Sequence, residues 1–201
     1  MPSEIEALIS AHEERIFLAL GYLVVRWNYA EYHVRQLLRE KVGVASMLDP
    51  ASIKISNSVP SALSTNLSEL AKTWEGREGE PYIKSLDEAF RVAVDHRNHL
   101  VHGAWMTVAC GDPETAVAVM IPSKIRNSQL ELPSHVPVED FERTAHYFHD
   151  LGMFAWNVYV GFSADGTRSL DGEGQPVVAE LPPLLSTLPP IERLYHTATD
   201  G

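Results

Sequence analysis

The sequence predicts an all-α fold: a four-helix bundle with a β-hairpin inserted between helices 3 and 4 and an extended C-terminal tail. Three observations carry that expectation. Apolar residues recur at three- and four-residue spacing through four long segments. The period changes to two over Ala104–Ala109 and Thr115–Ile121, with Cys110-Gly111-Asp112-Pro113-Glu114 between them as a turn. From Ser163 onward the composition shifts to glycine and proline, with five of the thirteen prolines in that tail. The expected organisation is a helical body over 1–162, the hairpin at about 104–121, and the tail over 163–201.

Ser3 to about Lys41 reads as one long helix or two abutting ones. Ser3 is a candidate N-cap, and Glu4 and Glu6 suit a first turn, where carboxylates meet unpaired N–H groups. Leu8, Ile9, Ile16, Leu20, Leu23, Val24, Trp27, Val34, Leu37 and Leu38 supply its apolar stripe, and Glu31 falls on or beside that stripe. Gly21 marks a place for a bend, and Gly43 fits the far end. Val44–Val59 is expected to be a connection. The second helix runs from Ser61 to Trp74 with Leu63, Leu67, Leu70, Ala71 and Trp74 on one side, and ends in the polar break Glu75–Pro81. The third starts near Pro81, which a first turn tolerates, and stops at Gly103. The fourth covers Val138–Phe162, with Phe141, Ala145, Phe148, Gly152, Ala155 and Tyr159 as its seam. The tail carries a net charge of −4, yet Leu181, Leu184, Leu185, Leu188, Ile191, Leu194 and Tyr195 are too apolar for a plain solvent tail. It is expected to lie on the bundle or on a partner subunit.

Composition narrows the function classes. The chain of 201 residues is 45% hydrophobic and 21% charged, ordinary for a soluble globular domain. No run reaches the roughly 18 apolar residues of a membrane span. The acidic start, Met1-Pro2-Ser3-Glu4-Ile5-Glu6, lacks the basic region of a secretory signal. The single cysteine, Cys110, forms no internal disulfide, which suits a reducing cytoplasm. A net charge of −11 argues against an affinity binder of duplex nucleic acid, which needs Lys and Arg to displace counterions. A small local site acting on a phosphodiester remains compatible with it.

The chemistry-bearing stretch is Asp95-His96-Arg97-Asn98-His99-Leu100-Val101-His102-Gly103, at the end of the third helix. At about 100° per residue from Asp95, the apolar residues Leu86 to Val101 span an arc of about 120° to 260°. Arg91, Asn98, His99 and His102 cluster around Asp95 on the polar side, and Arg97 lands near 200°, inside the apolar arc. A guanidinium there requires a counter-charge, and Glu31 is the obvious partner. Alternatively Arg97 snorkels toward the helix edge and shares a site with His102. Asn98 and His102, four apart, share a face without adjustment.

Arg97-Asn98-His99-Leu100-Val101-His102 resembles the signature of the HEPN superfamily: an arginine, a polar residue, three further residues, a histidine. Trp27-Asn28-Tyr29-Ala30-Glu31 on a long first helix is similar in flavour, and by helix order the resemblance spans roughly Ile5 to Phe162. The resemblance implies a four-helix bundle, a homodimer and metal-independent RNA cleavage without a cofactor. His102 would be general base or acid for attack of a ribose 2′-OH on the adjacent phosphorus. Arg97 would stabilise charge on the phosphate oxygens, and Asn98 would orient His102 or the phosphate. Asp95, His99 and Glu31 would support them. The product would be a 2′,3′-cyclic phosphate. A toxin or defence enzyme of this kind would meet RNA and an antitoxin or other protein partner, and no membrane.

A rival of a different class is a non-catalytic dimeric helical module, in which Arg97 pairs with Glu31 and the apolar tail embraces a neighbour. Other signals are weaker. His96 to His99 and His146 to His149 have spacings that metal ligands use, but no Cys pair, His-Glu-x-x-His run or carboxylate-rich loop joins them. Cys110 has no evident base nearby in sequence. There is no phosphate-cradling Gly-rich loop. Trp27, Trp74, Trp105 and Trp156 lack interleaved basic residues, so they are expected to build core and interface rather than stack bases.

Overall fold

The structure, a computed structural model, describes residues 4–41, 43, 49–102, 104–109, 116–121, 125–126, 129–131, 134–135, 138–178, 180–186, 188 and 195–196, with side chains over 13–41, 43, 49–101, 138–178, 180–186 and 188. In chain order the helices are α1 (Glu4–Lys41), α2 (Pro50–Ser56), α3 (Pro60–Thr73), α4 (Glu80–His102) and α5 (Val138–Gly161). Strands β1 (Ala104–Ala109), β2 (Ala116–Ile121), β3 (Ile125–Arg126), β4 (Gln129–Glu131) and β5 (Ser134–His135) precede α5, and β6 (Tyr195–His196) follows it. The expected Ser3 cap, Gly103 stop and Cys110 turn lie outside the described residues.

A helical bundle is formed, but the four-helix description is overturned. Among the described residues the helices number five, and β1 and β2 do not stand alone as a hairpin, because β2 also pairs with β5. The additional helix is α2, inside the stretch expected to be a connection. Its start is encoded locally: the Asp49 carboxylate accepts from the Ala51 N–H at 2.8 Å, and Pro50 stands in the first turn, where its missing N–H costs nothing. β1 pairs antiparallel with β2 from Ala104↔Ile121 to Ala109↔Ala116, and β2 carries β5 on its other edge. A second three-stranded sheet has the order β3-β4-β6. An isolated two-stranded ribbon is marginal in water, and a third strand satisfies more of its edge.

The chain divides into two compact units. The first comprises Met1–Val25, Asp95–His146 and Pro189–Gly201, and the second Arg26–Val94 and Tyr147–Leu188. The first contains both sheets and a helical core with Ile16, Leu23, Leu100, Phe141 and Ala145 buried. The second is the larger core. Trp27 stacks on Phe90 with ring centroids 5.4 Å apart and meets Phe148 edge-on at 5.2 Å, a geometry that adds to area burial. Leu37, Leu63, Leu67, Ile83, Leu86 and Leu151 of the same unit are without solvent exposure, each contributing about 1.5–3 kcal/mol of burial.

Two glycines in the second unit are required by close approach. A Cβ on Gly152 of α5 would stand 2.7 Å from the Tyr29 ring and 3.1 Å from the Ala30 Cα of α1, so only glycine lets these helices touch. Gly166 has φ +81 and a Cβ there would stand 2.6 Å from the Trp74 ring, whose Nε1 donates to the Ala164 carbonyl at 3.0 Å. The chain after α5 is thereby fastened over Trp74, then turns through isolated bridges Phe162↔Arg168 and Leu170↔Pro176.

Candidate functional site

α4 changes surroundings at Asp95. Glu80–Val94 belongs to the second unit and Asp95–His102 to the first. In the earlier part the buried positions are Ile83, Leu86, Asp87, Ala89, Phe90 and Ala93, close to the apolar arc of an ideal helix. In the last turns the buried positions are His96, His99 and Leu100, while Arg97 and Val101 are only half-buried. The buried arc therefore rotates by roughly 100° over the final two turns. His99, expected on the polar side, is 7% exposed, and His96 is 6% exposed. Asp95 is exposed as expected.

That rotation relieves Arg97 of the interior position that its spacing implied. Its Nη1 donates to the Asn98 Oδ1 at 3.1 Å, and both side chains are half-buried. Adjacent residues on a helix point about 100° apart, so this bond requires the guanidinium to lie along the helix surface toward the Asn98 side. The same side is the one the backbone gives His102, four residues on. The His102 backbone ends α4, and its side chain lies outside the described residues.

Glu31, the expected partner of Arg97, has a defined role in the second unit. Its Oε2 accepts from the Trp27 Nε1 at 2.7 Å, and its Oε1 accepts from Arg35 Nε at 3.1 Å and from Arg35 Nη2. Arg35 in turn donates to the carbonyls of Ile55, Ser56 and Ser58, the last two at 2.7 Å. A cation on the last carbonyls of α2 satisfies acceptors that a helix end leaves over, and Glu31 holds that cation in place. Sequence reading passed over Arg35, although its spacing of four from Glu31 was the available signal.

Several other polar groups of the second unit are matched within it. Asp87 accepts from Arg91 Nη2 and Ser68 Oγ, both at 2.7 Å, and from Ser64 Oγ at 3.3 Å. It lines a cleft of about 330 Å³ together with Lys72 and Lys84, which bond Glu69 and Glu80. Lys41 donates to the Tyr159 carbonyl at 3.0 Å and to that of Phe162, at the end of α5, and burial holds its pKa below the ordinary value. His33 sits among Tyr29, Tyr32 and Trp156 at ring distances of 4.4, 5.2 and 5.4 Å, and burial lowers its pKa. The Tyr147 hydroxyl is buried without a hydrogen-bond partner, and its pKa is pushed up to about 12 by burial.

Among the described residues no group of three or more His, Cys, Asp or Glu side chains is placed to hold a metal ion. His149 is engaged by Arg26, whose Nη1 lies 2.9 Å from its Nδ1, and stacks on Tyr29 at 5.6 Å. A guanidinium only donates, so Nδ1 accepts and the ring proton resides on Nε2. His146 meets Tyr22 edge-on at 6.1 Å. Among the described residues no helix is long and apolar enough to cross a membrane. Set beside family models, curated proteins and solved structures, the chain has no match.

Proposed function

We propose that the protein is a metal-independent endoribonuclease of toxin or defence type that acts as a homodimer, with Arg97, Asn98 and His102 as its working residues. The observation that carries this reading is the Arg97 Nη1 to Asn98 Oδ1 hydrogen bond, which turns the guanidinium toward the helix side that Asn98 shares with His102. A guanidinium offers a planar fork to two phosphate oxygens, and an imidazole exchanges protons near neutral pH.

The reaction balances without a further reagent. A neutral His102 takes the proton of the ribose 2′-OH as the 2′-oxygen bonds to phosphorus, and the bond from phosphorus to the 5′-oxygen breaks. The leaving oxygen takes a proton from a second acid, the same motif on the other copy. The products are a 2′,3′-cyclic phosphate and a 5′-hydroxyl. Arg97 stabilises the negative charge that builds on the non-bridging oxygens. Asn98 holds the guanidinium through its carbonyl and keeps its amide N–H groups for phosphate or His102.

A second reading is the non-catalytic helical module. The net charge of −11 favours it, because an RNA substrate is repelled by an acidic surround. Purified protein incubated with labelled RNA in EDTA, alongside Arg97→Ala and His102→Ala, separates the two. The nuclease reading expects cleavage with cyclic-phosphate ends in wild type and a loss of at least about 100-fold in both variants. A folded wild-type protein inert toward varied RNAs would leave the module in possession.

A further inference from the structure

α1 is apolar on two opposite sides. One side carries Ile16, Ala19 and Leu23, all buried in the first unit. The other carries Phe17, Leu18 and Val25, which are 65%, 67% and 64% exposed, with Tyr22 and Val24 more than a third exposed. At the centre of this outer stripe lies Gly21, and a Cβ there would meet nothing within 4 Å. Solvated helices ordinarily place charged and polar residues on such a face.

The stripe is symmetric about Gly21. Phe17 and Leu18 precede it by four and three residues, and Val24 and Val25 follow it by three and four. At about 100° per residue, Leu18 and Val25 lie on one flank of Gly21, and Phe17 and Val24 on the other. A two-fold axis beside Gly21 would run two α1 helices antiparallel. Leu18 of one copy then meets Val25 of the other, and Phe17 meets Val24. Each contact sets a larger side chain against a smaller one, and the bare Gly21 backbones permit close approach. The five side chains expose on the order of 400 Å² of largely apolar surface, about half of what one partner brings to a standard interface.

From this we infer that the outer face of α1 over Phe17–Val25 is a self-docking surface, occupied by the same face of a second copy in antiparallel two-fold pairing. The inference does not rest on RNA cleavage, because oligomeric state is measured without a substrate. The test is the molar mass of the full chain at micromolar concentration, by light scattering on a sizing column, for wild type, Leu18→Glu, Val25→Lys and the double variant. Wild type is expected at twice the chain mass, both single variants at the monomer mass, and the double variant at the dimer mass again, since each introduced carboxylate then faces an introduced ammonium. Helical circular dichroism unchanged across the set confirms that exposed positions were altered without unfolding. A monomeric wild type, as when another segment of the chain covers the stripe, would overturn the pairing. So would a dimer that survives Leu18→Glu, or a double variant that stays monomeric.

Discussion

The two parts of α4 make an instructive pair, because one continuous helix faces two kinds of surroundings. Over Glu80–Val94 its buried side is Ile83, Leu86, Ala89, Phe90 and Ala93, and its buried carboxylate, Asp87, receives three donors from Arg91, Ser68 and Ser64. Over Asp95–His102 the buried side includes two imidazoles, and a half-buried arginine bonds to the asparagine beside it. Close packing and satisfied hydrogen bonds mark the first part as architecture. Under the proposed function, the polar groups gathered at the helix end are the site. Mutational cost should therefore fall on stability in the first part and on activity in the second.

The largest break is expected at Phe90. Phe90→Ala removes the ring that stacks on Trp27 and should cost about 3–5 kcal/mol in urea unfolding. Next comes Asp87→Ala, which strands the Ser64 hydroxyl and removes the carboxylate shared by Arg91 and Ser68, Ser68 keeping its bond to the Ser64 carbonyl. A cost of about 2–3 kcal/mol is expected by the same measurement, with the Arg91 partner largely exposed and recoverable by water.

The histidines sharpen the contrast through pH. Burial lowers the pKa of His33 from 6.5, so below that pH the unfolded chain takes up a proton before the folded chain does. The stability linked to neutral His33 is present above pH 6.5 and is lost as pH falls through the lower folded-state value. Unfolding measured across pH 7 to pH 5 should show this decline, and His33→Phe should make the profile flatter. The smallest effect is expected at Tyr147. Its buried hydroxyl has no hydrogen-bond partner, so Tyr147→Phe should leave stability unchanged or raise it by up to about 1 kcal/mol. A loss of more than that would mean the hydroxyl has a role its surroundings do not suggest.

Much of this architecture was legible in the residues. The stripes of α1, α3 and α5 follow the helical period, and Phe141, Ala145, Phe148, Gly152 and Ala155 are buried as their spacing implied. On α1 Val24 is exposed and Leu20 half-buried, the outer side of that helix being apolar as well, and the Leu8 and Ile9 side chains lie outside the described residues. The short α2 escaped because seven residues give periodicity nothing to act on, although Asp49-Pro50 carried the start signal. β5 and β6, at two residues each, cannot display a period of two. The motif was visible as a string, but its geometry was not. An ideal helix keeps one buried face, whereas α4 exchanges neighbours at Asp95 and its buried arc turns with them. That is why His99 is interior and the Arg97 guanidinium reaches toward Asn98. Glu31 shows the same lesson. Its position on the stripe was readable, and its nearest cation, four residues away, was the one it holds.

The most direct test of the contrast within α4 is the unfolding free energy of Arg97→Ala in urea at neutral pH. If the end of the helix is a site rather than a structural ion pair, the loss should stay within about 1 kcal/mol of wild type, as for a half-buried group bonded to its neighbour. A loss of about 3–5 kcal/mol, the signature of breaking a buried charge pair, would contradict it and return Arg97 to the architecture of the fold.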